Sequence, residues 1–131
     1  MLVPTLVDAA AVDRVEVLRV AREGWPYWGQ WATVPGETVG AAMGLDAEEL
    51  LRLLAELPDG EQMRCFMPAY GLRLYGQNRV LAETAICFEC NNAVTTVDGR
   101  HGWFKFDGSS GAAHRLLEAL KAYDPHPTAT A

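Results

Sequence analysis

The sequence is poor in lysine, in long apolar runs and in complete catalytic signatures, and each shortage narrows what the chain can do. Among 131 residues the only lysines are Lys105 and Lys121, no basic cluster exists, and the formal net charge is −6. Affinity for nucleic acid comes mostly from Lys and Arg neutralising phosphates. Nucleic acid is therefore not an expected partner, and neither is an anionic membrane. A basic protein is a suitable partner, because complementary charge speeds encounter, although mild acidity also simply serves solubility. No apolar run approaches the ~20 residues that span a bilayer. The first residues, MLVPTLVDAAAVDR, lack the basic start and long apolar stretch of a signal peptide, with Arg14 the first positive charge. The expectation is a cytoplasmic protein, or an exported one if a leader has been removed.

Catalytic motifs are equally scarce. There is no Gly-x-Ser-x-Gly elbow. The stretch Asp107-Gly108-Ser109-Ser110-Gly111 lacks the lysine and spacing of a P-loop; it reads as a loop and helix cap, with anion binding at the helix start as the alternative. Glu83 and Glu89 share a strand face but stand about 20 Å apart along it, too far for a glycosidase pair. His101 and His114 read as solvated surface residues, and His126 lies in the tail. Neither enzyme chemistry nor a cofactor is expected, zinc excepted.

What the chain does have is ordinary globular material: 50% hydrophobic and 21% charged residues. The length suits one domain, residues 1–131, with an ordered core over about 5–123 and a flexible tail at 124–131. Valine-rich residues 13–21 read as a strand. Residues 31–34 begin a second, stopped by Pro35-Gly36. The clearest helix covers residues 46–57: Asp46 suits the cap, Glu49 the capping box, and Leu50, Leu53, Leu54 and Leu57 share one face. Residues 61–75 and 80–90 read as two long strands around a Gly76-Gln77-Asn78-Arg79 turn. Residues 94–97 and 100–106 flank Asp98-Gly99, which suits a type I′ turn. A last helix runs to about Tyr123, with Leu116, Leu117 and Leu120 turned to the core. Hairpins dominate, so the expected class is α+β, a mainly antiparallel sheet of about five to six strands with two helices packed on one face.

Strand alternation sorts the side chains. Phe66, Tyr70, Leu72 and Leu74 should share the core face with Val80, Ala82, Thr84, Ile86 and Phe88. Cys65 and Cys87 then fall on the other face with Arg73, Glu83 and Glu89. Cys90 starts on the core face and joins them only if the chain turns or bulges near Asn91-Asn92, or if Pro68 breaks the register. Four readings of Cys65, Cys87 and Cys90 stand side by side. They are buried small hydrophobes; or a disulfide joins Cys65 to Cys87 or Cys90, which requires an oxidising compartment. Alternatively they hold zinc, for which a fourth ligand is needed and His101 is too far across the sheet. Thiol redox chemistry is the last, opposed by the strand setting and by Glu89 between the thiols.

Cys65-Phe66-Met67-Pro68, then Gly71-Leu72-Arg73-Leu74-Tyr75, then Ile86-Cys87-Phe88-Glu89-Cys90-Asn91 resembles the shared core of a loose group of small uncharacterised bacterial proteins. That core runs Cys-x-x-Pro, a glycine-aliphatic strand, and Ile/Val-Cys-Phe-x-Cys, and some members carry lipoprotein-type signals. The resemblance covers roughly residues 64–92 and implies no particular function. A basic residue usually follows the proline, where this sequence has Ala69.

Trp25, Trp28 and Trp31 recur every third residue beside Tyr27. Such a cluster serves either as a lid over the sheet's second face or as a partner-binding surface. Together with the acidity this leads to an expected function: a small non-enzymatic binding domain, comparable in size and charge to immunity proteins that neutralise or escort a protein partner. The alternative is a small zinc- or thiol-based protein built on Cys65, Cys87 and Cys90.

Overall fold

The computed structural model describes residues 7–21, 33–61, 63 and 67–127. Its strands are β1 (Arg14–Val20), β2 (Gly36–Met43), β3 (Tyr70–Gly76), β4 (Arg79–Cys87), β5 (Asn92–Val97) and β6 (Arg100–Lys105); its helices are α1 (Leu45–Ala55) and α2 (Gly111–Tyr123). The six strands form one antiparallel sheet in the order β2-β1-β3-β4-β5-β6. Every neighbour pair but one is a sequential hairpin. The exception is β1 with β3, for which the chain leaves β2, passes through α1, and returns on the far side of β1. The α+β class with an antiparallel sheet is thus the observed one.

The turns follow from backbone chemistry. Asp98 and Gly99 both take positive φ (51° and 76°), the type I′ geometry expected of that dipeptide. Gln77 and Asn78 do the same (53° and 61°) between β3 and β4. Asn tolerates this left-handed region well. A register shift at Leu74/Tyr75 then sets Tyr75 against Val80 while Leu74 faces Ala82, so Leu81 is the extra residue. Such a bulge re-aims the side chains that follow it. Val80, expected on the core face, instead lies opposite Tyr75 and is 44% exposed.

Several element boundaries differ from the sequence reading: α1 ends at Ala55 and not at 57, β4 ends at Cys87 and not at 90, and β5 begins at Asn92 and not at 94. The second strand begins at Gly36, where Pro35-Gly36 was expected to stop one. Its sequence, GETVGAAM, has small residues in place of apolar alternation, so pairing with β1 decides its structure. Gly40 is small for a reason: a Cβ there would lie 2.9 Å from the Tyr123 Cβ, so glycine lets the end of α2 settle on β2. The strand before the first long hairpin starts only at Tyr70; residues 61, 63 and 67–69 lie outside any strand. Helix α1 begins at Leu45 behind Gly44 (φ 59°), which makes no side-chain cap. Asp46 sits inside the first turn, where a negative charge favours the helix dipole. Glu49 bonds Arg52 (2.9 Å) and not a cap.

The apolar pattern of both helices is nevertheless the expected one. Leu50, Leu53 and Leu54 of α1, Leu57 just past its end, and Leu116 and Leu120 of α2 are all 4% exposed or less, while Leu117 is only partly buried. They join one cluster with Val15, Val17, Tyr70, Leu72, Leu74, Ala82, Ile86 and Ala93. Burying each large aliphatic contributes roughly 1.5–3 kcal/mol. A separate, smaller cluster contains Leu18, Val20, Val34, Ala85 and Val94 and no helical residue. A ladder register places Leu18, Gly71, Ala85 and Val94 in one row across β1, β3, β4 and β5, so this cluster lies on the opposite face, called here the second face.

One contact ties the end of α2 to the sheet. Asp124, assigned above to the tail, is 5% exposed. It accepts from Arg19 Nε (3.1 Å), from Arg19 Nη2, from the Tyr70 hydroxyl (2.8 Å) and from the His126 N–H (2.8 Å). The Arg19 hydrogen bond holds the Asp124 carboxyl well below the usual carboxylate range, down to about 2, against the opposing effect of burial. Burial, and then Asp124, push the Tyr70 hydroxyl pKa up.

Candidate functional site

The cysteine segment settles into a turn. β4 ends at Cys87, and residues 88–91 turn before β5 begins. Asn91 takes positive φ (55°). This turn carries Cys90 back onto Cys87, and the two are joined in a disulfide with Cα atoms 5.2 Å apart, within the usual range. The pairing corrects the expected alternatives, both of which used Cys65: a chain that turns at Phe88 brings partners three residues apart together, which a continuing strand would separate. Cys65 lies outside the described residues. The metal set Cys65, Cys87 and Cys90 is therefore not assembled among the described residues, and no group of three or more His, Cys, Asp or Glu there is arranged to hold a metal. His101 lies on β6, separated from Cys87 on β4 by β5, as expected.

The turn works as a clasp. Cys90 O accepts from the Met63 N–H (3.0 Å), and Asn91 O accepts from the Phe106 N–H (3.0 Å). Asn91 Oδ1 accepts from the Gly108 N–H (2.9 Å), and Asn91 Nδ2 donates to Glu61 O (3.0 Å). Phe88 meets the Phe106 ring edge-on, centroids 6.0 Å apart. Glu89, expected on the strand face with Glu83, is exposed in the turn. Cys87 and Cys90 are each 1% exposed, so the bond is shielded from attacking thiols, and exchange requires access. Alkylation in denaturant without reductant should modify one cysteine, and all three after reduction, by intact mass. Replacing both Cys87 and Cys90 with alanine should cost about 2 kcal/mol in chemical denaturation, the loop-entropy value for so short a ring.

A polar row crosses the second face. The register sets Ala41, Glu16, Arg73, Glu83, Thr96 and His101 side by side from β2 to β6. Glu83, 6% exposed, accepts at Oε1 from the Thr33 hydroxyl (2.7 Å), the Val34 N–H (3.0 Å) and Arg73 Nε (2.9 Å). Arg73 also donates to Thr33 Oγ1 (3.0 Å) and Glu16 Oε1 (3.3 Å), and the Tyr75 hydroxyl donates to Glu16 Oε1 (2.8 Å). Burial pulls the Arg73 pKa down, but the Glu83 hydrogen bond and charge outweigh it and leave it raised. Both carboxylates are engaged by the arginine between them. The row reads as a brace that pins residues 33–34 to the sheet, which the sequence reading foresaw only as far as placing Arg73 and Glu83 on one face.

The next row, at the end of the same face, is partly exposed: its two ends, Met43 and Val80, are exposed, and Arg14 and Tyr75 between them are half-buried. Met43, Arg14, Tyr75 and Val80 stand opposite one another across β2, β1, β3 and β4. Met43 is 63% exposed, and Leu45, past the Gly44 corner, is 80% exposed. The Arg14 guanidinium stacks 4.2 Å above the Tyr75 ring and donates to Glu16 Oε2 (3.2 Å). Asp13, Arg14, Met43, Tyr75 and Asn78 line a shallow groove of about 550 Å³. No sequence pattern marked this surface, because it exists only through the bulge that turns Val80 outward and the register that aligns four strands.

No protein-family model, curated protein or solved structure matches the chain. The partner-contact candidates Trp25, Tyr27, Trp28 and Trp31 lie outside the described residues. His101 and His114 are exposed, as expected.

Proposed function

We propose that this protein is a small non-enzymatic binding domain that neutralises or escorts a protein partner, and that the exposed end of its second face is a contact surface. The observation that carries the reading is the contiguous row Met43, Arg14, Tyr75 and Val80 with Leu45 beside it. Exposed large apolar side chains that adjoin one another mark contacts more often than scattered ones do, and tyrosine, arginine and methionine are the residue types enriched at interfaces. Both helices lie on the opposite face of the sheet in this reading, supported by their shared cluster with Val15, Val17 and Leu72, so the row is left accessible. Trp25, Tyr27, Trp28 and Trp31 remain further candidate contacts. The net charge of −6 disfavours nucleic acid and anionic membranes as the partner, and the comparison with immunity proteins stays one of size and charge. No helix among the described residues is long and apolar enough to cross a membrane, and the Cys87–Cys90 disulfide favours the exported setting over the cytoplasmic one, because a lasting disulfide needs an oxidising compartment.

Affinity capture from source cells tests this reading. The wild-type chain should retain a discrete protein that Met43→Ser/Leu45→Ser loses while keeping its thermal midpoint; retention of the same protein by the double variant would count against it. A second reading, a zinc- or thiol-based protein, draws on one contact. The Met63 N–H, two residues before Cys65 in the chain, donates to Cys90 O, and reduction would free the Cys87–Cys90 pair. A zinc-sized mass increment on the reduced native protein, absent after denaturation, would favour it.

A further inference from the structure

We infer that the partner of this surface presents a basic, amphipathic segment: apolar side chains that meet Met43 and Leu45, bordered by Lys or Arg. The inference rests on the contact reading above and adds the chemistry of what is contacted. Met43 and Leu45 flank Gly44 at the corner where β2 passes into α1, and acidic residues adjoin that corner. Asp13 lines the groove beside Met43. Asp46 and Glu48 fill the first turn of α1 immediately after Leu45. None of these three carboxylates forms an ion pair with a described residue. Arg14, the cation opposite Met43, is already engaged by Glu16 and the Tyr75 ring. An apolar centre with an unneutralised acidic border is complementary to apolar side chains with a basic border, and repels an acidic one. A second copy of the chain fits poorly, because self-association through this corner would oppose Asp13, Asp46 and Glu48 to one another.

The test uses the full chain and two synthetic amphipathic helical peptides with the same leucine pattern, one with lysine and one with glutamate on its polar face. Fluorescence anisotropy reads affinity at several salt concentrations. The lysine peptide should bind, and the glutamate peptide should bind at least tenfold more weakly. Met43→Ser/Leu45→Ser should weaken the lysine peptide roughly tenfold, as loss of interface anchors does. Asp13→Asn/Asp46→Asn should weaken it by up to about fivefold and flatten the salt dependence, the scale of exposed charge pairs. Equal binding of the two peptides, or binding of neither, overturns the inference. So does a wild-type dimer in sedimentation that Met43→Ser abolishes, since the occupant would then be a second copy. The two levels fail differently. Glutamate-peptide binding that depends on Met43 and Leu45 removes the charge inference and leaves the contact surface standing. Lysine-peptide binding indifferent to Met43 and Leu45 removes both.

Discussion

Replacing Glu83 with alanine is expected to destabilise the protein by about 3–5 kcal/mol, the cost of removing one partner from a buried ion pair. The carboxylate is 6% exposed and a single oxygen takes three hydrogen bonds, from Thr33, Val34 and Arg73. Without it, the Arg73 guanidinium, whose side chain is 18% exposed, loses its closest counter-charge, and the Val34 N–H is left buried and unpaired. Glu83→Gln should cost less, because an amide oxygen can still accept from Val34 and Thr33 but carries no charge for Arg73. Urea denaturation reads both. A loss from Glu83→Ala below about 1 kcal/mol, the range of an exposed pair, would mean that water replaces the carboxylate and that the row does not brace residues 33–34.

Asp124→Asn should cost on the order of 2–3 kcal/mol at neutral pH, the worth of charge-assisted hydrogen bonds lost from a buried acceptor. The effect has a pH signature. The Asp124 carboxyl ionises at about 2 in the folded protein, below its ordinary value of 3.8, chiefly because Arg19 donates to it. The folded state therefore holds this proton less tightly than the unfolded chain. Its contribution is fully present above about pH 4 and is lost as pH falls through about 2. The gap in stability between wild type and Asp124→Asn should stay constant from neutral pH to about 4 and close below that. A gap that persists undiminished at pH 2 would locate the stabilisation in packing of α2 on β1 and not in the charge. Tyr70→Phe, which removes one donor to Asp124, should cost about 1 kcal/mol.

The legible parts of this fold were those where a short repeat meets a single buried face. Tyr70, Leu72 and Leu74 alternate, as do Ala82, Thr84 and Ile86, and the ladder pairs them in the expected even-with-even register. Leu50, Leu53, Leu54 and Leu57 carried the helical period, and Asp98-Gly99 its turn. The illegible parts depend on contacts distant in sequence. β2 has glycines and alanines where apolar alternation would announce a strand, and it forms because β1 offers an edge. Asp124 looks like the start of a tail until Arg19, 105 residues away, is seen to hold it. The CFEC segment was readable as a site of cysteine clustering, but its pairing depends on whether the strand stops at Cys87 or continues, and alternation alone does not say. Hydrogen bonds between the turn and Glu61, Met63, Phe106 and Gly108 do. The candidate surface was the least legible of all. Met43, Arg14, Tyr75 and Val80 come from four strands, and one of them faces outward only because Leu81 is a bulge.

The most direct test of the central claim, that the sheet end is a protein contact, is site-specific photo-crosslinking in source cells. A photoreactive residue replaces Leu45 in one experiment and exposed Glu89, in the disulfide turn, in the other. The account predicts a discrete protein adduct from position 45 and none from position 89. No adduct at 45, or the same adduct at both positions, would contradict it.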